Sequence, residues 1–599
     1  MRALFGKRIE DFQKKKNKLS ALSNRLSTIR LVVFLVFLTL LIWFVRAQDY
    51  GFAFLTGLAF FCAYLPLIFY HRRIRDRIWE HQLLIGINQE EINRLDGVFQ
   101  GVDSGDRFCS LQHPYAKDLD IFGVGSVFQS LDRCFTESGQ RRLAHALTSV
   151  KNPEEIRAFQ EAAGELAPEV DFCQRSRMLG QKNIIREEAQ ADLMDWFGAE
   201  EDTSWRTRTR WMVAGANGLS LATIVAVFFS VSWHWLLLPF ALNGVLLRLN
   251  RKRARAVMEQ TEKSASFLLG LSVLLSELET STFTSVKLVS VRNALNINNI
   301  KASALVRSLA FRFSMLEYAR NPYFYLLANM TFLWELHWMT SIESWRILAR
   351  SGIANWIDAL NDFEVISSYG GLAYANPDWI FPDIEEKDFC YEARDLAHPL
   401  IFSSRRVSND FSMRQTGETW ILTGSNMSGK STFLRALGVN AALALAGAPV
   451  CAGAMTISPM RVFTSMRTED NLQESTSSFY AELKRLKQLL DYLDGGLPVF
   501  YLLDEILKGT NSADRQAGSR ALVRHLQGKK ASGLIATHDL ELGGLSAVYP
   551  DTVFNYSFNS ALNDGVLTFD YALHRGVCHS FNATELMKQI GIDIAPEDR

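Results

Sequence analysis

Four long runs without a charged residue constrain this chain more than any other feature. Leu31 to Val45 ("LVVFLVFLTLLIWFV") and Tyr50 to Tyr70 ("YGFAFLTGLAFFCAYLPLIFY") form one pair; Trp211 to Val231 and Trp233 to Leu247 form another. In a bilayer every backbone N–H and C=O must be satisfied within the segment, so such a run is a helix, and about 20 residues are needed to cross. Tyr50–Tyr70 has that length, whereas Leu31–Val45 is short unless its flank at Ile29 and Arg30 snorkels to the interface. Trp residues and Pro239 suit an interfacial turn inside the second pair. The expectation is four spans in two hairpins; the alternative is a helical hairpin buried in a soluble domain.

Positive charge flanks the pairs. Lys14, Lys15, Lys16, Lys18, Arg25 and Arg30 precede the first run, and Arg72, Arg73, Arg75 and Arg77 follow the second. Arg206, Arg208 and Arg210 precede the third; Arg248, Arg251, Lys252, Arg253 and Arg255 follow the fourth. Within the hairpins only Arg46 breaks the pattern. The positive-inside rule then predicts a multi-pass membrane protein with both termini and both soluble portions in the cytoplasm. No A-x-A-like cleavage site precedes Tyr50, so the lead-in is expected to stay. Its basic residues suit anionic headgroups better than DNA. Lys plus Arg and Asp plus Glu both total 64, so net charge argues neither for nor against nucleic acid. The seven cysteines contain no CxxC pair, as in a reducing compartment, and no structural metal is expected.

The organisation that follows is a basic lead-in (1–30), a first hairpin (31–70), a helical region (71–210), a second hairpin (211–247), a second helical region (248–394) and a C-terminal domain (395–599). "EEINRLD" and "ASFLLGLSVLLSELE" carry the helical pattern. In the last domain the apolar strands "TWILTG", "VFYLLDEI" and "SGLIATHD" alternate with helices, as in a parallel α/β domain.

The chemistry lies at the ends of those strands. Gly424, Ser425, Asn426, Met427, Ser428, Gly429, Lys430 and Ser431 have the spacing GxxxxGK[ST], with Thr432 next and a helical run behind. Glycines let successive N–H groups face phosphates, Lys430 reaches β/γ oxygens, and the Ser431 hydroxyl suits Mg2+. Asp504, at the end of its strand, is expected to order Mg2+; Glu505 is the candidate general base. His538 could sense a γ-phosphate through water, although a structural histidine is the alternative. ATP and Mg2+ are the expected ligands.

Together these motifs resemble the ATPase domain of the MutS family. "TGSNMSGKST" is similar to that family's TGPNMGGKST, "DEILKGTNSADR" to DEIGRGTSTxDG, and "ATH" (Ala536–His538) to its third-strand motif. "EDNLQESTSSFYAEL" (Glu469–Leu483) resembles the family segment that reaches the partner subunit's ATP, with Ser477 at the signature serine. The resemblance therefore implies a homodimer with composite sites, and "RGVCHSFNATELMKQIG" (Arg575–Gly591) would pack it. Upstream, "SVFQSLDRCFTESGQRRLAHAL" (Ser126–Leu147), then Pro153, Ile156 and Arg157, resembles the family's helical core, here over 120–165; His398-Pro399 resembles the opening of its ATPase domain. The implied fold is an α/β P-loop NTPase domain, MutS/ABC-like, preceded by a mainly α-helical region carrying two transmembrane hairpins.

Departures shape the functional expectation. Arg406 stands where the family stacks adenine on Phe, so a cation or another aromatic would have to hold the base. Residues 1–125 leave no room for a mismatch-reading domain, and the second hairpin falls where helices should run toward a DNA clamp. The expectation is a membrane-anchored MutS-like ATPase that switches helical arms without standard mismatch recognition, with DNA open as a partner. The alternative is a transporter-like or scaffold ATPase that binds no DNA; "QESTSSF" matches an LSGGQ signature poorly.

Overall fold

The computed structural model describes all residues except 111, 183–202, 230–231, 262–263, 298, 426, 468–477, 564–565 and 579–599. Helices α1 (Arg2–Arg46) and α2 (Tyr50–Leu95) form an antiparallel hairpin. Its pairing runs from Lys16 with Gln82 to the stacked rings of Phe37 and Phe60, 4.0 Å apart. The basic lead-in and the first apolar run are thus one helix, and the shortness of Leu31–Val45 is no obstacle to length. Asp49 caps α2 by accepting from the Phe52 N–H.

Next come α3 (Val127–Leu131), α4 (Glu137–Thr148), α5 (Pro153–Leu166) and α6 (Val170–Lys182). Ser126, Thr136 and Asn152 cap α3, α4 and α5, with Pro153 at the first helical position, so local sequence dictates each start. The second membrane-type pair is α7 (Thr203–Phe228) and α8 (Leu237–Thr261), joined through a 3-10 turn at Trp233–Leu236. After α9 (Ser264–Thr280) and α10 (Val286–Ala294), a two-residue ladder, β1 (Asn296–Ile297) with β2 (Ile300–Lys301), leads to α11 (Ala302–Glu317). Then come α12 (Pro322–Phe332) and the 42-residue α13 (Trp334–Ala375).

Among the described residues three helices, α1, α2 and α7, are long and apolar enough to cross a membrane. The fourth expected span is not among these three. Trp233–Leu247 is divided between the 3-10 turn and α8, and the rest of α8 is basic from Arg248 to Arg255.

The C-terminal region builds two sheets. β3 (Asp383–Ile384), β4 (Tyr391–Leu396), β5 (Asn409–Met413) and β7 (Ala454–Ile457) form one, in the order β3-β7-β4-β5. The other contains β6 (Thr419–Gly424), β8 (Arg461–Ser465), β9 (Val499–Asp504), β10 (Ala531–Thr537), β11 (Val553–Asn563) and β12 (Val566–Arg575). Its order is β12-β11-β6-β10-β9-β8, parallel except for the β11–β12 pair. Helices α14 (Lys430–Ala446), α15 (Ser478–Tyr492) and α16 (Ser512–Leu526) complete the region. The unbroken apolar runs of β6 and β9 reflect burial on both faces: Ile421, Leu422 and all of Val499–Leu503 are fully covered. One apolar core continues from α3–α5 and α13 into α14, so the helical and α/β regions share an interior. None of the seven cysteines forms a disulfide.

Candidate functional site

In a parallel sheet the carboxyl ends of the strands share one edge, and there the expected residues meet. β10 lies between β6 and β9, with Ala536 paired to Asp504 and Thr537 to Thr423. Gly424, Asp504, Glu505 and His538 therefore occupy adjacent strand ends. α14 begins at Lys430 directly after the loop, so its first N–H groups face the same edge.

Glycine is required twice in that loop. A Cβ at Gly424 would meet the Phe558 carbonyl oxygen at 2.7 Å, and Gly429 has φ +107. Met427, Glu505, Leu507 and Tyr571 also adopt positive φ, so non-glycine residues in the left-handed region gather around this edge. Asn426 and Ser477 lie outside the described residues, as do all of Glu469–Ser477 and most of Arg575–Gly591. Ser425 and Ser428 are buried in the loop wall, whereas Met427 projects outward.

The Lys430 ammonium is buried and donates to the carbonyls of Gly424 (2.8 Å) and Ser425 (2.9 Å). Burial lowers its pKa, while Glu505 and Asp504 oppose that shift. The Ser431 side chain neighbours the Asp504 carboxyl, whose pKa burial raises. Asp504 Oδ1 and Ser428 Oγ are buried with no partner among the described residues. An orphaned carboxylate oxygen near the Ser431 hydroxyl suits a hard cation such as Mg2+. Among the described residues no three His, Cys, Asp or Glu side chains cluster to hold a metal unaided, so phosphate oxygens or water would complete its shell.

Glu505 is held from two sides. Its Oε1 lies 2.5 Å from His538 Nε2 and its Oε2 lies 2.7 Å from Lys508 Nζ. The close His538 contact, with Lys508, pulls its pKa down to about 2. In this state the carboxylate is a weak base, and His538 is a direct partner of Glu505.

Arg406 is committed elsewhere. Its guanidinium donates to the Ile401 carbonyl (2.7 and 3.0 Å) and lies over the Trp379 ring at 5.7 Å, bracing the turn after His398-Pro399. The aromatic at the loop is Tyr571, which the sequence reading missed. A Cβ on Gly429 would come within 3.1 Å of its ring, and the side chain is partly exposed. Only pairing of β11 with β6 and β12 places it there, so no local signal could have found it.

Comparison with known proteins agrees in extent with this region. Residues 420–593, from β6 onward, match the family described as MutS domain V. The C-terminal region is similar to MutS. DNA mismatch repair protein MutS of Dinoroseobacter shibae is 29% identical over 255 residues, covering 41% of this chain and 28% of that protein. DNA mismatch repair protein MutS 2 of Halobacterium salinarum is 32% identical over 206 residues, covering 34% and 24%. MutS protein homolog 4 of Mus musculus is 31% identical over 195 residues, covering 31% and 20%. The chain thus spans between a fifth and three tenths of the length of these MutS relatives.

Proposed function

We propose that the C-terminal region is a P-loop ATPase of MutS type, which binds ATP with Mg2+ and hydrolyses it to move helical arms set in a membrane. The observation that carries this reading is the convergence of Lys430, Ser431, Asp504, Glu505 and His538 on one strand edge. Ser431 and Asp504 would hold Mg2+, which supplies charge neutralisation at the phosphates. Lys430 would leave its two carbonyls for the β/γ oxygens. Glu505 would accept the proton of the attacking water as the bond from the γ-phosphorus to the β–γ bridging oxygen breaks. Because Lys508 and His538 depress its basicity, one of those contacts has to yield when nucleotide arrives.

Tyr571 is placed to stack a base over Gly429. Tyr571→Ala is expected to weaken binding of a fluorescent ATP analogue by about 1 kcal/mol, and Tyr571→Phe to spare it. Equal affinity in both variants would remove the stacking role.

The arms are continuous with both ends of the device. α2 is 46 residues, about 69 Å long, and runs from its apolar half to charged contacts beside α3. α13 runs from α7 and α8 to α4 and α5. The composite homodimeric site enters through Ser477: Ser477→Ala should cut turnover and leave ATP binding intact, and unchanged turnover would sink the trans contribution. DNA as a partner is tested by ATPase assay of the detergent-solubilised chain with duplex, branched and mismatched DNA at two salt concentrations. Stimulation that falls with salt supports electrostatic DNA binding. Stimulation by none of them favours a membrane switch of transporter or scaffold type.

A further inference from the structure

We propose that α12 and the break after it form a re-entrant segment that dips into the bilayer beside α7 and α8 and exposes one side to lipid acyl chains. This rests on the membrane reading of α7. The sequence PYFYLLANMTF carries no charge, and Tyr323 (86% exposed), Leu326 (62%) and Leu327 (70%) project from the protein. At about 16 Å α12 is too short to cross, so it must turn back.

Two contacts set its depth along α8. At its start, Arg320 donates to the Met258 carbonyl, beyond the basic flank Arg248–Arg255 (3.0 Å). At its end, Asn243 Nδ2 donates to the Met330 carbonyl at 2.7 Å. Asn243 also reaches Ser220 on α7 at 3.4 Å, so this end lies within both apolar runs. Between Asn243 and Met258 α8 rises about 22 Å at about 1.5 Å per residue. α12 therefore descends from the level of the basic flank into the apolar half of the hairpin.

The break has the chemistry that hydrocarbon demands. Leu333 turns at φ +48, which ends α12 and starts α13. Non-helical backbone at membrane depth survives only where protein groups satisfy it. Asn243 takes the Met330 carbonyl, and Asn329 Oδ1 accepts from the Glu335 N–H at 2.8 Å. Both amides are fully buried and each keeps one polar atom without a partner among the described residues, so they serve the break at a cost. Tyr318 and Tyr323, with Arg320, sit at the shallow end, where aromatic and basic anchors belong. Leu221 and Phe228 of α7 are apolar and exposed like this face, and lipid is the occupant that would cover both.

The test uses the unaltered full chain in phosphatidylcholine vesicles doped with a phosphatidylcholine bearing a diazirine on its acyl chain. After illumination, peptide mass spectrometry is expected to find acyl adducts on peptides from both Thr203–Phe228 and Pro322–Phe332. Adducts on the first and none on the second overturn the re-entrant segment alone. Adducts on neither overturn it together with the membrane reading. In a second measurement, Leu327→Cys is expected to react with a membrane-impermeant maleimide about tenfold more slowly than Val548→Cys, an exposed site in the C-terminal region. Equal rates, or a disulfide between two copies through Leu327→Cys, refute lipid contact.

Discussion

Glu505→Gln is expected to leave ATP bound and to reduce hydrolysis by roughly 10²–10⁴-fold, the usual contribution of a positioned general base. Glutamine keeps the shape and one acceptor toward His538 Nε2 but cannot take a proton from water. Lys508 and His538 hold the present carboxylate at 2.7 and 2.5 Å, so removing its charge loosens both contacts and frees the Lys508 ammonium. Nucleotide affinity should therefore hold or rise, because a carboxylate charge is removed and the Lys508 ammonium is released beside the phosphate edge. Equilibrium binding and single-turnover hydrolysis separate these effects. Normal turnover in this variant would remove Glu505 from the chemistry. A fall in binding equal to the fall in rate would make it a structural residue.

Glu91→Ala is expected to destabilise the fold by about 3–5 kcal/mol. Glu91 lies near the end of α2, buried, with Oε2 at 2.6 Å from Arg133 and Oε1 at 3.1 Å from Arg94. Despite burial, the two guanidiniums hold its carboxyl below the usual range. Removing it strands two nearly buried cations, and Arg94 has only the carbonyls of Gln129 and Asp132 and the more distant Glu90 to fall back on. Its pKa, lowered to about 10 by burial, already registers that cost. The exposed pair Lys487–Asp491 is the contrast: breaking it should change stability by no more than about 0.5 kcal/mol. Unfolding followed by circular dichroism at fixed detergent checks both. Equal small shifts would mean that α2 is not anchored through Glu91.

Local signals account for much of what was legible in the sequence. The caps Ser126, Thr136 and Asn152 announce α3, α4 and α5, since each side chain serves N–H groups within three residues. The runs "TWILTG", "VFYLLDE" and "SGLIATH" are legible because parallel strands covered on both faces need apolar residues throughout. The fourth apolar run is divided in the structure. Trp233–Leu247 has the composition of a span, but Ser232 and Trp233 open a 3-10 turn and the helix starts only at Leu237. α12 was missed because its uncharged length is half that of a span, and a hydropathy window dilutes it with Arg320 and Glu335.

By itself, the sequence determined the elements whose cause is local: the glycines of the loop, the helix starts, the buried strands and the long uncharged helices. Tertiary structure alone decided which distant groups meet. Strand order puts His538 against Glu505 and Tyr571 over Gly429; helix packing lays Asn243 on the Met330 carbonyl and turns Arg406 toward Trp379. A periodic pattern reports the face that a residue presents. Its partner across that face depends on the path of the chain, which sequence spacing does not encode.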